Sequence, residues 1–173
     1  MVFNVAQLLK GSTGSSRRYE LNEEIDDSDD GLEILAPLTG RVLLTRTIRG
    51  VLASGLVSTV VRMVCPRCLE PYSQEVRIEL EEEFVSVVDI NSGASVPIGE
   101  DVDPALIIDE HHLLDLSESV RQYLVIAQST GGPCRADCAG LCPECGQNLN
   151  LGQCGCSNTI IGDPRLAALE ELL

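Results

Sequence analysis

Eight cysteines constrain the fold of this 173-residue chain more than any other feature. Zn²⁺ prefers four ligands in a tetrahedron, and thiolates separated by two to four residues can reach one ion from a single turn. The spacing therefore predicts a structural zinc site. The candidate ligands are the pair Cys65 and Cys68 and six cysteines within 23 residues near the end of the chain, Cys134, Cys138, Cys142, Cys145, Cys154 and Cys156.

The grouping of these ligands has two solutions. Cys142-Pro-Glu-Cys145-Gly146 has the form of a zinc knuckle, because proline fixes φ in the turn and glycine allows the positive φ that lets backbone N–H groups face sulfur. In one grouping, two four-thiolate sites form, and Cys65-Pro-Arg-Cys68 ties the body of the protein to the tail. In the other, the six later cysteines hold zinc alone, as a bridged pair of ions. Both groupings include the knuckle.

Three other uses of cysteine compete with zinc. Disulfides are disfavoured because residues 1–10 lack the basic start and long apolar core of an export signal, which predicts a cytoplasmic protein. A thioredoxin-like role for Cys65 and Cys68 requires a βαβ context that the sequence does not suggest. Iron–sulfur clusters also bind groups of cysteines, so this alternative stays open.

Chain length and hydropathy predict one main body. A chain of this size buries a single core, and no apolar run approaches the roughly 18 residues of a membrane span. We expect a β-rich body at residues 1–130 and a cysteine-rich zinc-binding tail at residues 131–173, forming one cooperative unit. Asp163-Pro164 predicts the start of a short last helix in the tail, with cap and first-turn proline in their preferred places.

The segment 31–84 predicts an antiparallel meander of about four strands, because β-branched residues recur between turn residues. The clearest strand is 73–85, which alternates apolar and charged side chains. Asp115 and Glu118 resemble a capping box for a helix from Leu116 to about Gln128, with Val120, Leu124 and Ala127 on one face. The predicted class is α+β, an antiparallel meander or open barrel-like body with one or two short helices and the tail.

A hairpin turn at Ser54-Gly55, with Leu52 opposite Val57, would fix the two faces of the sheet. The predicted core face holds Val42, Leu44, Ile48, Val57, Val61 and Met63. The predicted opposite face holds Arg41, Thr45, Thr47, Arg49, Ser58 and Arg62.

Charge is unevenly distributed along the chain. The net charge of −15 argues against a nucleic-acid-binding surface over the whole protein. Between Glu33 and Glu70, however, there is no acidic residue. That interval predicts an RNA-backbone contact patch, with an ordinary solvated face as the alternative. Its basic residues are Arg41, Arg46, Arg49, Arg62 and Arg67.

No catalytic motif is present. The two histidines, His111 and His112, are adjacent and are typical of a surface turn. No Ser–His–acid set, phosphate loop or zinc-protease motif occurs, and a zinc ion with four cysteines is coordinatively closed. We therefore expect a protein that is not an enzyme and has no small-molecule substrate.

Several motifs together resemble one known family. They are Cys65-Pro-Arg-Cys68-Leu-Glu-Pro, an acidic strand ending at Phe84, the helix at 115–128, the run from Asp137 to Asn150, Cys154-Gly-Cys156 and Asp163-Pro-Arg-Leu. In these the chain resembles the YceD family, the large ribosomal RNA subunit accumulation proteins of bacteria and plastids. The resemblance implies a non-enzymatic role in accumulating 23S rRNA and assembling the large ribosomal subunit.

Two mechanisms are compatible with this resemblance. In the first, the protein binds ribosomal RNA or a pre-ribosomal particle through the five arginines. In the second, it is an acidic adaptor that holds a basic ribosomal protein or an rRNA-processing enzyme and makes no direct RNA contact. The arginines favour the first mechanism and the net charge favours the second. In both, zinc is a stabilising clamp.

Overall fold

The computed structural model describes residues 1–25, 31–99 and 101–156. The predicted last helix at Asp163-Pro164 lies outside these residues. The elements, in chain order, are β1 (Val2–Asn4), α1 (Ala6–Leu9), β2 (Ser16–Glu23), β3 (Leu38–Arg46), β4 (Gly50–Val64), β5 (Pro71–Ser86), a 3₁₀ turn (Pro104–Leu106), β6 (Ile107–Ile108), β7 (Leu113–Asp115) and α2 (Ser117–Ser129). None of the helices in these residues is long and apolar enough to cross a membrane.

A five-stranded sheet dominates the structure, in the order β2-β3-β4-β5-β6. Strands β2 to β5 form an antiparallel meander, and β6 adds to β5 in parallel at only two positions. A separate two-stranded sheet pairs β1 with β7. The predicted antiparallel meander is confirmed, but residues 31–84 supply three of its strands, β3 to β5, and not about four, because the fourth strand, β2, lies before this segment. Within the described residues the sheet stays open and does not close into a barrel.

The core lies on one face of this sheet. Even-numbered residues of β3 and β5 and odd-numbered residues of β4 point into it, as the period of two requires. Helix α2 covers them, and the predicted helix face is confirmed because Val120 and Leu124 are fully buried and Ala127 packs beside them. The predicted strand at 73–85 is confirmed and extends slightly at both ends, with Val76, Ile78 and Leu80 buried.

The predicted turn at Ser54-Gly55 is wrong. Strand β4 runs through both residues, and the chain reverses instead at residues 47–49. Gly55 lies where β3 and β4 come close, since a Cβ at this position would overlap the carbonyl oxygen of Arg41. The glycine therefore permits close backbone approach inside a long strand. The prediction failed because Ser-Gly is also typical of turns, and composition alone does not distinguish the two uses.

The predicted faces are mostly right despite the wrong turn. The true register pairs Leu44 with Ala53 and leaves odd residues of β4 facing the core, as the predicted register does. Ile48 is the exception, because it lies in the true turn and is 86% exposed. Thr47 and Arg49 also lie in the turn and not on the outer face.

The start of α2 differs from the predicted capping box. The N-cap residue is Leu116, and Asp115, one residue earlier, accepts the backbone N–H of Ser117 on its Oδ1 at 2.9 Å. Glu118 does not return to the backbone and instead accepts two bonds from the Arg121 guanidinium, at 2.8 and 2.6 Å. The helix therefore begins at Ser117, one residue later than predicted.

Candidate metal centre

The eight cysteine side chains gather into two groups of four. Within each group the sulfur atoms all lie within 4.8 Å of one another. This arrangement corresponds to the first of the two predicted groupings, in which the upstream pair joins the tail. The first tetrad is Cys65, Cys68, Cys134 and Cys138, and the second tetrad is Cys142, Cys145, Cys154 and Cys156.

The upstream half of the first tetrad lies at the tip of the β4–β5 hairpin. The backbone N–H of Cys65 donates to the carbonyl of Glu70 at 2.9 Å, and the N–H of Leu69 donates to the carbonyl of Cys65 at 2.9 Å. Leu69 adopts a left-handed φ of 59° to close this turn. The turn thus directs Cys65 and Cys68 to the same side, where both are buried.

The downstream half follows the end of α2. The hydroxyl of Tyr72 on β5 donates to the carbonyl of Gly132 at 2.6 Å, which holds the chain against the sheet just before Cys134. Farther along, the N–H of Leu141 donates to the carbonyl of Arg67 at 3.1 Å. These contacts from both sides bring the segment 134–138 over the hairpin tip.

The sulfur spacing of the first tetrad fits a tetrahedral zinc ion. Four sulfurs at about 2.3 Å from one ion are separated from each other by about 3.8 Å. The Sγ atoms of Cys65 and Cys138 are 3.8 Å apart, and those of Cys68 and Cys134 are also 3.8 Å apart. All eight cysteines fall in the described residues and none is in a disulfide.

Polar donors around the first tetrad complete its environment. The backbone N–H of Cys134 points at the Cys65 sulfur at 3.3 Å, and the side-chain amide of Asn150 donates to the Cys138 sulfur at 3.4 Å. Such donors orient thiolate ligands and stabilise their charge. Asn150 was not among the residues singled out from the sequence.

The second tetrad is built on the predicted knuckle. The N–H of Gly146 donates to the carbonyl of Cys142 at 2.9 Å, and Gly146 adopts the expected positive φ, 74°. Cys142 is buried, whereas Cys145 is exposed and the remaining two ligands are half-buried. The second tetrad is therefore more open to solvent than the first.

The thiol pKa values in each tetrad diverge. Burial opposes the ionisation of Cys65, but backbone N–H groups, led by that of Cys134, lower its pKa to about 6. The N–H of Cys145 likewise lowers the pKa of Cys142 to about 7. Burial raises the pKa of Cys134 to about 12, and the Cys145 thiol raises the pKa of Cys156 to about 12. A divalent cation stabilises all four thiolates together, since coordination deprotonates a thiol.

The five predicted RNA-contact arginines do not form one patch. Arg41 and Arg62 project from the outer face of the sheet, and Arg67 lies at the hairpin tip. Arg46 immediately precedes the 47–49 turn, and Arg49 is the last residue of that turn.

Most of these arginines already have partners. Arg62 pairs with Glu33 at 2.6 Å, and Arg41 and Arg49 lie 3.6 and 3.7 Å from glutamates of the adjacent strands, Glu20 and Glu83. Arg46 donates to two backbone carbonyls of the turn. Although the interval between Glu33 and Glu70 contains no acidic residue, the fold places glutamates of β2 and β5 and Glu33 itself beside its arginines.

The histidines lie away from both tetrads, in the turn between β6 and β7. His111 is exposed beside Glu110, 3.7 Å away. His112 adopts a φ of 62°, and its buried Nδ1 has no hydrogen-bond partner among the described residues.

Comparison with known proteins identifies relatives over most of the chain. A family model described as "Large ribosomal RNA subunit accumulation protein YceD" matches residues 53–173, which include both tetrads. An uncharacterized protein of Mycobacterium tuberculosis is 31% identical over 161 residues, covering 90% of this chain and 74% of the relative. No solved structure matches.

Two plant proteins carry a functional name. A Zea mays protein named large ribosomal RNA subunit accumulation protein YCED homolog 1, chloroplastic, is 28% identical over 148 residues, covering 73% of this chain. The protein of the same name from Arabidopsis thaliana is 25% identical over 162 residues. The matches span 50% and 49% of these two plant proteins.

Proposed function

This chain belongs to the YceD family, and on that premise we propose that it is a ribosome biogenesis factor that supports accumulation of 23S rRNA and assembly of the large subunit. The observation that carries the proposal is the family match, which runs from β4 to the end of the chain and contains every cysteine. The names of the plant relatives support the same role. A cytoplasmic location follows from the proposed role.

The tetrads support a structural use of zinc. We assign one ion to each, with Cys65, Cys68, Cys134 and Cys138 as ligands of the first. When bound, the ion supplies cross-linking and no reaction, because four thiolates leave no open position for substrate or water. The first tetrad would join the β4–β5 hairpin to the segment after α2, and the second would hold residues 142–145 to residues 154–156.

The proposed role is binding and not catalysis. Among the described residues, neither histidine belongs to a group of side chains that could hold a metal ion, and the odd-numbered glutamates of β5 lie on the outer face of the sheet. The protein therefore acts, in this proposal, through the surfaces that the sheet and the tail present.

Ion pairing favours the adaptor mechanism over direct RNA contact. Phosphate would have to displace Glu33 from Arg62 and glutamates from Arg41 and Arg49. Arg46 is held by the turn carbonyls. Together with the net charge of −15, this supports an acidic adaptor that holds a basic ribosomal protein or an rRNA-processing enzyme. Direct contact through Arg41, Arg46, Arg49, Arg62 and Arg67 remains the competing prediction.

Deletion of the gene in its own organism tests the proposed role. We expect a fall in 23S relative to 16S rRNA and fewer large subunits on a sucrose gradient, both restored by the wild-type chain. Unchanged rRNA ratios and gradients would overturn the proposal.

Binding of the purified protein to rRNA fragments separates the two mechanisms. Direct contact predicts binding that weakens steeply with salt and is lost on Arg49→Glu/Arg62→Glu substitution. The adaptor mechanism predicts little binding to RNA alone.

A further inference from the structure

The outer face of the main sheet, opposite the core and α2, carries apolar side chains at positions that normally hold polar ones. In an antiparallel sheet with one solvent-exposed face, the side chains of each strand usually alternate between apolar residues that face the core and polar residues that face water. Here Leu56 is 58% exposed and Val64 is 62% exposed, although both lie within β4. The apolar stripe consists of five outward residues, Leu43, Leu52, Leu56, Val60 and Val64.

A row of glutamates borders this stripe along β5. The outward residues Glu75, Glu79, Glu81 and Glu83 form the row, and Arg77 is the one cation within it. Arg77 pairs with Glu75 at 3.2 Å.

Two carboxylates of the row have no cationic partner in the part of the chain that the structure describes. Glu79 lies opposite Leu56, and Glu81 lies opposite Ser54 in the register of β4 and β5. No ion pair of either carboxylate occurs within the described residues. On the same face, Arg41, Arg62 and Arg77 pair with other glutamates, whereas Arg18, opposite Leu43 at the β2 edge, has no ion pair within those residues. On its β5 side, the face thus joins exposed apolar surface to two carboxylates without a cationic partner.

The surface also has a place for a side chain of a partner. A shallow depression of about 520 Å³ opens beside Leu56, between β3 and β5. Its lining includes Leu56 and the small residue Ser58 together with the charged residues Arg41, Glu75 and Arg77.

We propose that this outer face docks an amphipathic, basic segment of a partner protein. Apolar side chains of the segment lie on the stripe, with one in the depression beside Leu56, and lysine or arginine side chains pair with Glu79 and Glu81. The inference rests on the adaptor mechanism and deepens it by naming the surface and the chemistry of the partner.

Charge complementarity selects this occupant over others. Nucleic acid would bring phosphates against the glutamate row, and a second copy of the chain would bring a second row of glutamates. A purely charged partner would leave the stripe exposed to water. A segment with alternating apolar and basic residues satisfies both features of the face.

A defined peptide tests the surface. The probe is a fluorescein-labelled 12-residue peptide of alternating leucine and lysine, titrated with full-length zinc-loaded protein and followed by anisotropy. We expect the Glu79→Lys/Glu81→Lys variant to weaken binding at least tenfold. Leu56→Ser, which leaves the charge unchanged, should weaken it at least threefold.

The matched control reverses two exposed carboxylates elsewhere, Glu24→Lys/Glu110→Lys, with the same change in net charge. Its binding should stay within threefold of wild type. Equal losses in the control and the face variant would overturn the proposal, because they would mean attraction to net charge alone. Tighter wild-type binding to a 12-nucleotide single-stranded RNA than to the peptide would also overturn it.

Complementation separates this inference from the proposed function. If wild type restores 23S rRNA in the deletion strain and Glu79→Lys/Glu81→Lys does not, the docking face serves the proposed role. If wild type restores 23S rRNA and the face variant does so equally well, the proposed function stands and the docking inference falls.

Discussion

Asn150 connects the end of the knuckle segment to a cysteine of the other tetrad. Its side-chain oxygen accepts the N–H of Ala139 at 2.8 Å and a guanidinium N–H of Arg135 at 2.8 Å. Its amide nitrogen donates to the Cys138 sulfur, and this bond is the main cause of the lowered pKa of Cys138. One neutral side chain therefore both holds the 135–139 loop and stabilises a thiolate.

Replacing Asn150 with alanine should weaken zinc binding at the first tetrad by about tenfold or more, because loss of a partner to a metal ligand commonly costs 10- to 100-fold in affinity. Competition with a chromophoric chelator measures the affinity of each site. Gln153→Ala, an exposed neighbour in the same segment, is the control and should leave both affinities unchanged. An Asn150→Ala protein with wild-type affinities would contradict this role.

Arg46 differs from the other arginines of its interval because it supports the backbone. Its Nη1 donates to the carbonyls of Thr47 at 2.6 Å and Gly50 at 2.9 Å. Arg46→Ala should lower the free energy of unfolding by about 1–3 kcal/mol, since charged donors to half-buried carbonyls are lost. Arg41→Ala should cost at most about 1 kcal/mol, as its pair with Glu20 is exposed. Urea unfolding measures both, and equal effects would refute the distinction.

For individual residues, the role of the cysteines as candidate metal ligands could be predicted from the sequence, whereas the roles of the residues that support the site and the turn could not. Cysteines two to four residues apart can reach one ion from a local turn, as Cys142 and Cys145 do, so the candidate ligands could be identified from the sequence. Asn150 reaches Cys138 only because the chain folds back over 12 residues. The sequence did not distinguish Arg46 from Arg49, because the backbone contacts of Arg46 depend on where the turn lies.

Among the elements, β4 and β5 do most to position the site. They pair over fifteen positions, from Gly50 with Val85 to Val64 with Pro71, and carry the Cys65-Pro-Arg-Cys68 turn at their tip. The alternation of β5 made it predictable, because its charged residues lie at every second position. The extent of β4 was not predictable, since Ser54-Gly55 has the composition of a turn while its role is close packing against β3.

Gly55→Ala tests this explanation of β4. The added methyl group would overlap the carbonyl oxygen of Arg41, so β3 and β4 would have to separate. We expect a loss of at least about 2 kcal/mol in the free energy of unfolding. Ser54→Ala, whose side chain points to the outer face, should change it by less than about 0.5 kcal/mol. A small effect of Gly55→Ala would mean that the strands do not approach as closely here.

In the whole molecule, the first tetrad joins parts of the chain that are far apart in sequence. Cys68 and Cys134 are separated by 66 positions, and Cys65 and Cys138 by 73. The cysteine cluster is a separate packed group from the main core, and Tyr72 packs against both. A metal ion bound by the first tetrad would therefore act as a clamp beside the core and not within it.

Removal of metal should loosen the clamp and leave the sheet intact. With a strong chelator present, amides at 65–70 and 134–142 should exchange with solvent at least tenfold faster, while those of β3 and the core half of β4 keep their protection. Hydrogen–deuterium exchange with mass spectrometry measures this segment by segment. Simultaneous loss of protection throughout the chain would contradict the clamp and would instead fit the sequence-based expectation of one cooperative unit.

The architecture as a whole was partly accessible from the sequence. The antiparallel meander, the helix that covers it and the cysteine-rich tail follow from local periodicity and spacing. The balance of charge on the outer face was not accessible, because it depends on which acidic strands lie beside the arginines. The choice between the two ligand groupings also required the fold, since only the approach of the tail to the hairpin tip brings Cys134 to Cys65.

Native mass spectrometry with metal analysis tests the central claim that two four-cysteine sites each hold one zinc ion and that the first joins body and tail. Wild type should carry two zinc ions, and Cys65→Ser/Cys68→Ser and Cys142→Ser/Cys145→Ser should each carry one. Retention of two ions by Cys65→Ser/Cys68→Ser would place all the metal in the tail and contradict the clamp. A wild-type protein with no metal and eight free thiols would contradict the zinc assignment itself.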